Sequence, residues 1–411
     1  MVFRVFGRKR GHGPSGVDAI IAEIEARTGS ATRPKSLPAW ALVLRSPFET
    51  RDDRPTSWLG GVPRAPRTFR WPRGAKGEPL HFIAQIDLSA LAPEPTTGAR
   101  PPGLPRRGAL LVFIGQRYAI QLLGEADLAD AAPVEPPRDL ADVTELGYWG
   151  SGNTFKAWAV DPIAYLSRGE QSPEVLPDPF ETPTRWITNW GIAALEADIL
   201  VEALELELRL GREFVTYRKK QVAEGKTPLM ARHIEERLAH CAMMEDHAPG
   251  LLAELQDWHA TAAAQPPEAP IEGKALEAIL ARRSVLAGRM QNDYGARKLL
   301  SGSASRCWDK VAGNLPMIGG HPDFSGVPAA YRPLVDAKIT GWRGHRLFGI
   351  EPELPNNAED LRGQDPLISI ASDALIGTES EHDYGFSIWL DRERMARGVH
   401  EGGQLVRHCA V

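Results

Sequence analysis

The run from Ile192 to Glu224, IAALEADILVEALELELRLGREFVTYRKKQVAE, contains no proline in a chain that carries 34 of them. Its apolar residues recur at helical spacing on a wide face, so it has to be one long helix with Gly225 closing it. A helix of that length cannot belong to the texture on either side of it. From Pro34 to about Trp190, prolines and glycines punctuate short alternating runs, WALVLR, LHFIAQIDL, ALLVFI and YAIQLL, which read as strands. The stretches LAPEPTTGARPPGLPRRG and DAAPVEPPRD hold too much proline for a sheet interior and read as surface loops.

Two further helical patterns follow the first. Thr227 and Pro228 form an N-cap and first-turn pair for a helix running to about Ala263, where QPPEAP breaks it. Ile271 to about Leu300 gives a third pattern, weakened towards its end by Gly288 and Gly295. Strand texture then returns with PLISIASDAL and YGFSIWL. The expected fold is α+β and β-rich: two related sheet-forming halves, a helical insertion and a short N-terminal helix. The boundaries are a basic tail and short amphipathic helix over 1–33, a first β-rich half over 34–191, the helical insertion over 192–300 and a second β-rich half over 301–411. The N-terminal helix is read from VDAIIAEIEART, opened by a capping pair of Ser15 and Asp18.

The totals exclude several classes. At 411 residues the prior is two or three structural units. Basic and acidic residues number 48 and 53, giving a net charge of −5, so no global field draws the chain to nucleic acid or an anionic membrane. The longest strongly apolar run, ALLVFIG, is about a third of a membrane span, and the N-terminal stretch lacks the apolar segment of a signal peptide. Three widely spaced cysteines, Cys241, Cys307 and Cys409, argue against a disulfide framework and a four-cysteine zinc site. A reducing cytoplasm is the expected location.

Two near copies of one motif stand out: Gly60-Gly61-Val62-Pro63 and Gly319-Gly320-His321-Pro322. A phosphate cradle needs backbone N–H groups aimed at an anion where a helix begins. Neither copy leads into a helical pattern or a GK[ST] signature, so a structural turn is the stronger reading. If each copy opens a sheet, the two halves enclose a shared hollow near both turns. Its candidate ligand-binding residues are Trp58, Gly60, Gly61, Trp71, Gln85, Asp87, Gly319, Gly320, His321 and Asp373. Alternation along FIAQIDLSAL puts Phe82, Ala84, Ile86 and Leu88 on one face and Ile83, Gln85 and Asp87 on the other. Gln85 and Asp87 could line the hollow, or they could satisfy a loop backbone and cap a turn. Trp58 and Trp71, beside the first turn, could stack on a ligand or fill the core.

GGVPRAPRTFRWP, EPLHFIAQIDLSAL and LPRRGALLVFI, in that order, resemble the bacterial YwqG-like family, whose members carry a GG-P turn, a Trp-Pro pair and two similar strand phrases. MIGGHPDF and PLISIASDALIG fit the family's second hallmark loosely, while GTESEHDYGFSIWL replaces its Trp-Gly-Asp phrase. The resemblance implies a mixed β-rich fold with no established activity and an association with toxin–immunity systems.

Chemistry-bearing constellations are weak. His233, His240 and His247 recur every seven residues, about 10 Å apart along a helix, too far for one ion. His233, Glu236 and His240 lack a metal signature. Glu379, Glu381, His382 and Asp383 read as a solvated acidic loop. No metal and no cofactor is expected. There is no GxSxG elbow, and His408 and Cys409, adjacent on a strand, would face opposite ways. The leading expectation is a non-catalytic binding module for a protein partner or small ligand. The alternative is a hydrolase using carboxylates and His321, which requires His321, Gln85 and Asp373 to converge. No nucleic-acid partner is expected, since Arg4, Arg8, Lys9 and Arg10 form only a tail. The broad face of the first long helix leaves room for a homodimer through the helical insertion.

Overall fold

The computed structural model describes residues 36–48, 56–149, 152–169, 186–225, 231–290, 303–313, 315, 317–318, 321–340, 343–351, 361, 363–380 and 383–409. The N-terminal helix expected within 1–33 lies outside them.

Fourteen strands are described: β1 Leu37–Leu44, β2 Trp58–Leu59, β3 Arg64–Ala65, β4 His81–Asp87, β5 Ala109–Ile114, β6 Tyr118–Leu123, β7 Ala132–Pro133, β8 Trp158–Ser167, β9 Met317–Ile318, β10 His321–Pro322, β11 Arg346–Phe348, β12 Gln364–Ala371, β13 Asp383–Asp391 and β14 Gln404–Cys409. The helices are α1 Glu125–Ala129, α2 Trp190–Ala223, α3 Ala231–Ala263, α4 Gly273–Met290, α5 Ser303–Ala312, α6 Arg332–Ile339 and α7 Arg392–Ala396. The protein is therefore α+β and rich in β-structure. Asn189 opens α2, its side-chain oxygen accepting the Ile192 N–H at 2.9 Å, and Gly225, at φ 71°, follows its end.

Ten strands make one antiparallel sheet in the order β14-β13-β12-β11-β1-β8-β2-β4-β5-β6. The order is symmetric about the central β1–β8 pair, and the register is symmetric too. Leu59 on β2 pairs with Trp158 on β8 and Ala84 on β4, and Leu347 on β11 pairs with Trp40 on β1 and Ile368 on β12. The Val160 N–H donates to the Ser57 carbonyl at 3.0 Å, matched by the Leu42 N–H to the His345 carbonyl at 2.9 Å. The register slips between Phe82 and Ala84 on β4 and between Pro366 and Ile368 on β12, the same place in both. β1 precedes β2 in sequence but pairs with β11 and β8, and β8 in turn pairs with β2.

The sheet curls almost into a barrel. Tyr118, on the outermost strand β6, accepts the Gly403 N–H at 2.6 Å just before β14, the strand at the opposite edge. The face that the long helices cover carries the main core, where Trp40, Leu59, Ile86 and Val112 meet Ile192, Ala197 and Leu204 of α2 and Trp258 of α3. The other face carries a smaller cluster of Trp58, Leu80, Phe82, Leu111 and Phe113, roofed by Phe69 and Trp71.

The slip corrects one expected facing. Phe82 joins the outer cluster while Ile83 joins the main core with Ala84 and Ile86, the reverse of strict alternation. A bulge inserts one residue, and every side chain before it changes face.

Candidate functional site

The Gly60-Gly61 turn lies where β2 leaves the sheet. Both glycines have positive φ, 61° and 68°, and both N–H groups are engaged, Gly60 to the Ile83 carbonyl at 2.8 Å and Gly61 to the Phe155 carbonyl at 2.7 Å. An anion cradle needs those donors free. This turn is structural. Its match in the second half is not the GGHP motif. By register the counterparts of Gly60 and Gly61 are Phe348, at φ 56°, and Gly349, at φ 91°. Gly319 and Gly320 lie outside the described residues, as does the His321 side chain. Their flanking strands, β9 and β10, form a separate two-stranded ribbon. The expected pair of turns opening two like sheets is corrected accordingly. Short glycine motifs repeat too readily to identify counterparts, which strand register does.

The two GGxP neighbourhoods nevertheless approach one region. Phe324, just after GGHP, packs edge-on to Trp158 with ring centroids 5.6 Å apart, and the Lys156 ammonium lies 5.5 and 5.6 Å from those two ring centroids. Burial pushes the Lys156 pKa down, and Asp323 opposes the shift.

The remaining sequence candidates have internal partners. Trp58 donates to the Val62 carbonyl and Trp71 to the Leu80 carbonyl, both within the outer aromatic cluster. Gln85 accepts the Arg64 N–H at 2.9 Å, and Asp87 caps the turn at Ser89. Asp373 is buried and accepts from Arg343 Nε and Nη2, at 2.6 and 2.7 Å, and lies 3.0 Å from His345 Nε2. Burial pushes its pKa up, but the hydrogen bonds from His345 and Arg343 outweigh that and hold it well below the usual carboxylate range. His345 Nδ1 in turn lies 3.2 Å from the Ala371 N–H, which leaves Nε2 to donate to Asp373. This clasp joins two loops. Asp373 follows β12, and Gln85 lies on β4, five strand spacings or roughly 24 Å away along the sheet. They do not converge.

A polar chain on the outer face of the second half had no signal in the sequence. Ser387 Oγ accepts the Trp389 indole N–H at 2.7 Å and lies 2.7 Å from His408 Nε2. His408 Nδ1 faces Glu351 Oε1 at 3.7 Å, and Glu351 Oε2 takes the Ser369 hydroxyl and Arg346, both at 2.7 Å. The order serine, histidine, acid is that of an activated nucleophile. Yet Ser387 is 0% exposed. The first half has Trp58, Gln85, Leu111 and Leu123 at the places of Arg346, Ser369, Ser387 and His408, so the sheet itself does not require charge there. His408 was visible in the sequence beside Cys409; Glu351 and Ser387 are brought to it by pairing of strands.

The helices present the other candidate surface. Leu206, Leu210 and Tyr217 of α2 are 43%, 43% and 58% exposed. At 100° per residue they fall within about 40° of one another, roughly opposite the seam where Leu208 and Gly211 meet Cys241 of α3. Among the described residues no three His, Cys, Asp or Glu side chains are grouped to hold a metal, and no helix is long and apolar enough to cross a membrane. His233 sits 3.5 Å from Glu236 on the surface, and His240 3.5 Å from Glu207 in a separate, largely covered pair.

These features define an α+β protein built on one self-complementary antiparallel sheet with a helical layer on one face. Residues 57–132 match a domain of unknown function (DUF1963), a segment that runs from β2 to the start of β7. No match was found among curated proteins.

Proposed function

We propose that the chain is a non-catalytic binding module that engages a protein partner through the outer face of α2. The observation that carries this reading is the exposed stripe of Leu206, Leu210 and Tyr217 on a helix whose opposite side is buried. Large apolar side chains aligned on one face mark contact surfaces. A small ligand in a hollow near the GGxP turns is less well supported, because Trp58, Trp71, Gln85 and Asp373 already have internal partners. The first part of the YwqG-like resemblance, GGVPRAPRTFRWP to LPRRGALLVFI, falls within the matched segment. It brings the association with toxin–immunity systems and a bacterial cytoplasm into this reading. We also read the register-matched halves as a duplicated unit that exchanged its first strand. The test is capture of a binding protein by the wild type, by Leu206→Glu/Leu210→Glu and by Gln85→Leu. The stripe variant should lose the partner and Gln85→Leu should keep it; equal capture by all three ends the reading.

A hydrolase on a residue set other than the expected His321 and carboxylates is the second reading, favoured by the 2.7 Å contact of Ser387 with His408. In it, Ser387 Oγ attacks an ester carbonyl, His408 takes its proton and passes it to the leaving alcohol, and water then releases the acid. Glu351 would hold the imidazole. A fluorophosphonate probe decides: label on Ser387, lost in Ser387→Ala, establishes the nucleophile. The leading reading expects none.

A further inference from the structure

The charges beside the α2 stripe form a pattern that reads the same when the helix is reversed. Glu202, Arg209, Glu213 and Lys220 fall on one flank of the stripe, within about 40° of each other. Turning a second α2 antiparallel about a point near Gly211 sets Glu202 opposite Lys220, and Arg209 opposite Glu213, in both directions. The same operation lays Leu206 beside Tyr217. In an antiparallel helix pair a flank faces the same flank of its mate, so all four ion pairs form together. A two-fold interface demands this self-complementarity, and a surface made for a different partner does not.

We infer that the partner of this face is a second copy of the chain, docked with its α2 antiparallel about a two-fold axis near Gly211. The inference rests on the proposed role of the α2 stripe and specifies its occupant. The contact spans about five helical turns, so it falls at the small end of stable interfaces, and association should depend on concentration in roughly the micromolar range.

The test is sedimentation or light scattering of the full chain against concentration, with circular dichroism as the check on folding. The wild type should dimerise, and Leu206→Glu/Leu210→Glu should be monomeric with unchanged helicity. Lys220→Glu should weaken the dimer about tenfold by placing two acids opposite each other. Adding Glu202→Lys to it should restore association. Eighteen residues, about 27 Å of helix, separate these positions within one chain, so such rescue must act between chains. Glu202 also pairs with Lys310 at 2.5 Å, so the swap of Arg209→Glu with Glu213→Arg serves as a second test of the same register. Monomers at every concentration, indifference to Lys220→Glu, or failure of both swaps to restore the dimer would each overturn the inference. A monomeric wild type that still captures another protein through the stripe would leave the binding-module reading intact while ending this one.

Discussion

Gly61 lies against Ala157 so closely that a Cβ on the glycine would sit 2.7 Å from the alanine's Cβ; Gly349 stands in the same relation to Ala39 at 2.8 Å. Gly61 stands where a bend leaves β2 beside the start of β8, and Gly349 where a bend leaves β11 beside β1. At both bends neighbouring strands meet by a close backbone approach that only glycine permits at positive φ.

Gly61→Ala and Gly349→Ala should therefore each destabilise by about 1–3 kcal/mol, from backbone strain and displaced neighbours. Gly60→Ala should cost more, since its new methyl would meet the Lys156 carbonyl. Gly77, also at positive φ but with nothing within 4 Å, is the control and should cost about 1 kcal/mol or less. Urea midpoints would rank the four. Equal costs at Gly60 and Gly77 would contradict the packing account.

Glu196 is fully buried on α2, where its Oε1 accepts Arg283 of α4 at 2.9 Å and the Ser303 hydroxyl of α5 at 2.8 Å. Removing Arg283 leaves a buried acid without its counter-charge. Arg283→Leu should cost about 3–5 kcal/mol, and adding Glu196→Leu should recover much of it, because an apolar pair avoids desolvation. A double-mutant cycle in urea measures the coupling. Additive losses would show that the two residues act separately.

Asp373 supplies a pH dependence. Its folded-state pKa is held down by His345 and Arg343, against burial. A depressed carboxylate contributes stability that is fully present above its unfolded value, about 3.9, and is lost as pH falls towards the folded one. Asp373→Asn should therefore be less stable than the wild type at pH 7, and the gap should narrow below about pH 4. Urea titrations at pH 7, 5 and 3 test the trend; a gap that widens on acidification would refute it.

Cys241 and Cys307 are free and buried, and burial pushes both thiol pKa values up. In a Cys409→Ser background, Ellman's reagent at pH 8 should find neither thiol until denaturant is added. Rapid reaction of the native protein would show that the helical layer opens readily.

The sheet-forming runs were legible because each alternates or is wholly apolar between turn residues: WALVLR became β1, LHFIAQIDL β4, ALLVFI β5 and PLISIASDAL β12. The long helices were legible for a similar reason, since Ile192–Glu224 has the 3.6 period and lacks proline; the structure adds Trp190 and Gly191 at its start because Asn189 caps it. Less was legible of the site. Ala-Trp-Ala occurs at 39–41 and again at 157–159, and this repeat, not GGxP, marks the matching strands. Gln85 and Asp373 looked available because a sequence shows a polar side chain without its partner, and here Arg64 and Arg343 supply the partners.

By itself, then, the sequence determined the local elements, since period and punctuation act over a few neighbouring residues whose geometry is fixed by backbone sterics. Only the tertiary structure decided that β1 pairs with β11 and β8 with β2, that one bulge turns Phe82 outward, and that Glu351, Ser387 and His408 share a face. Those outcomes depend on which strand edges pair across hundreds of residues, and hydrogen bonds between edges carry no sequence label.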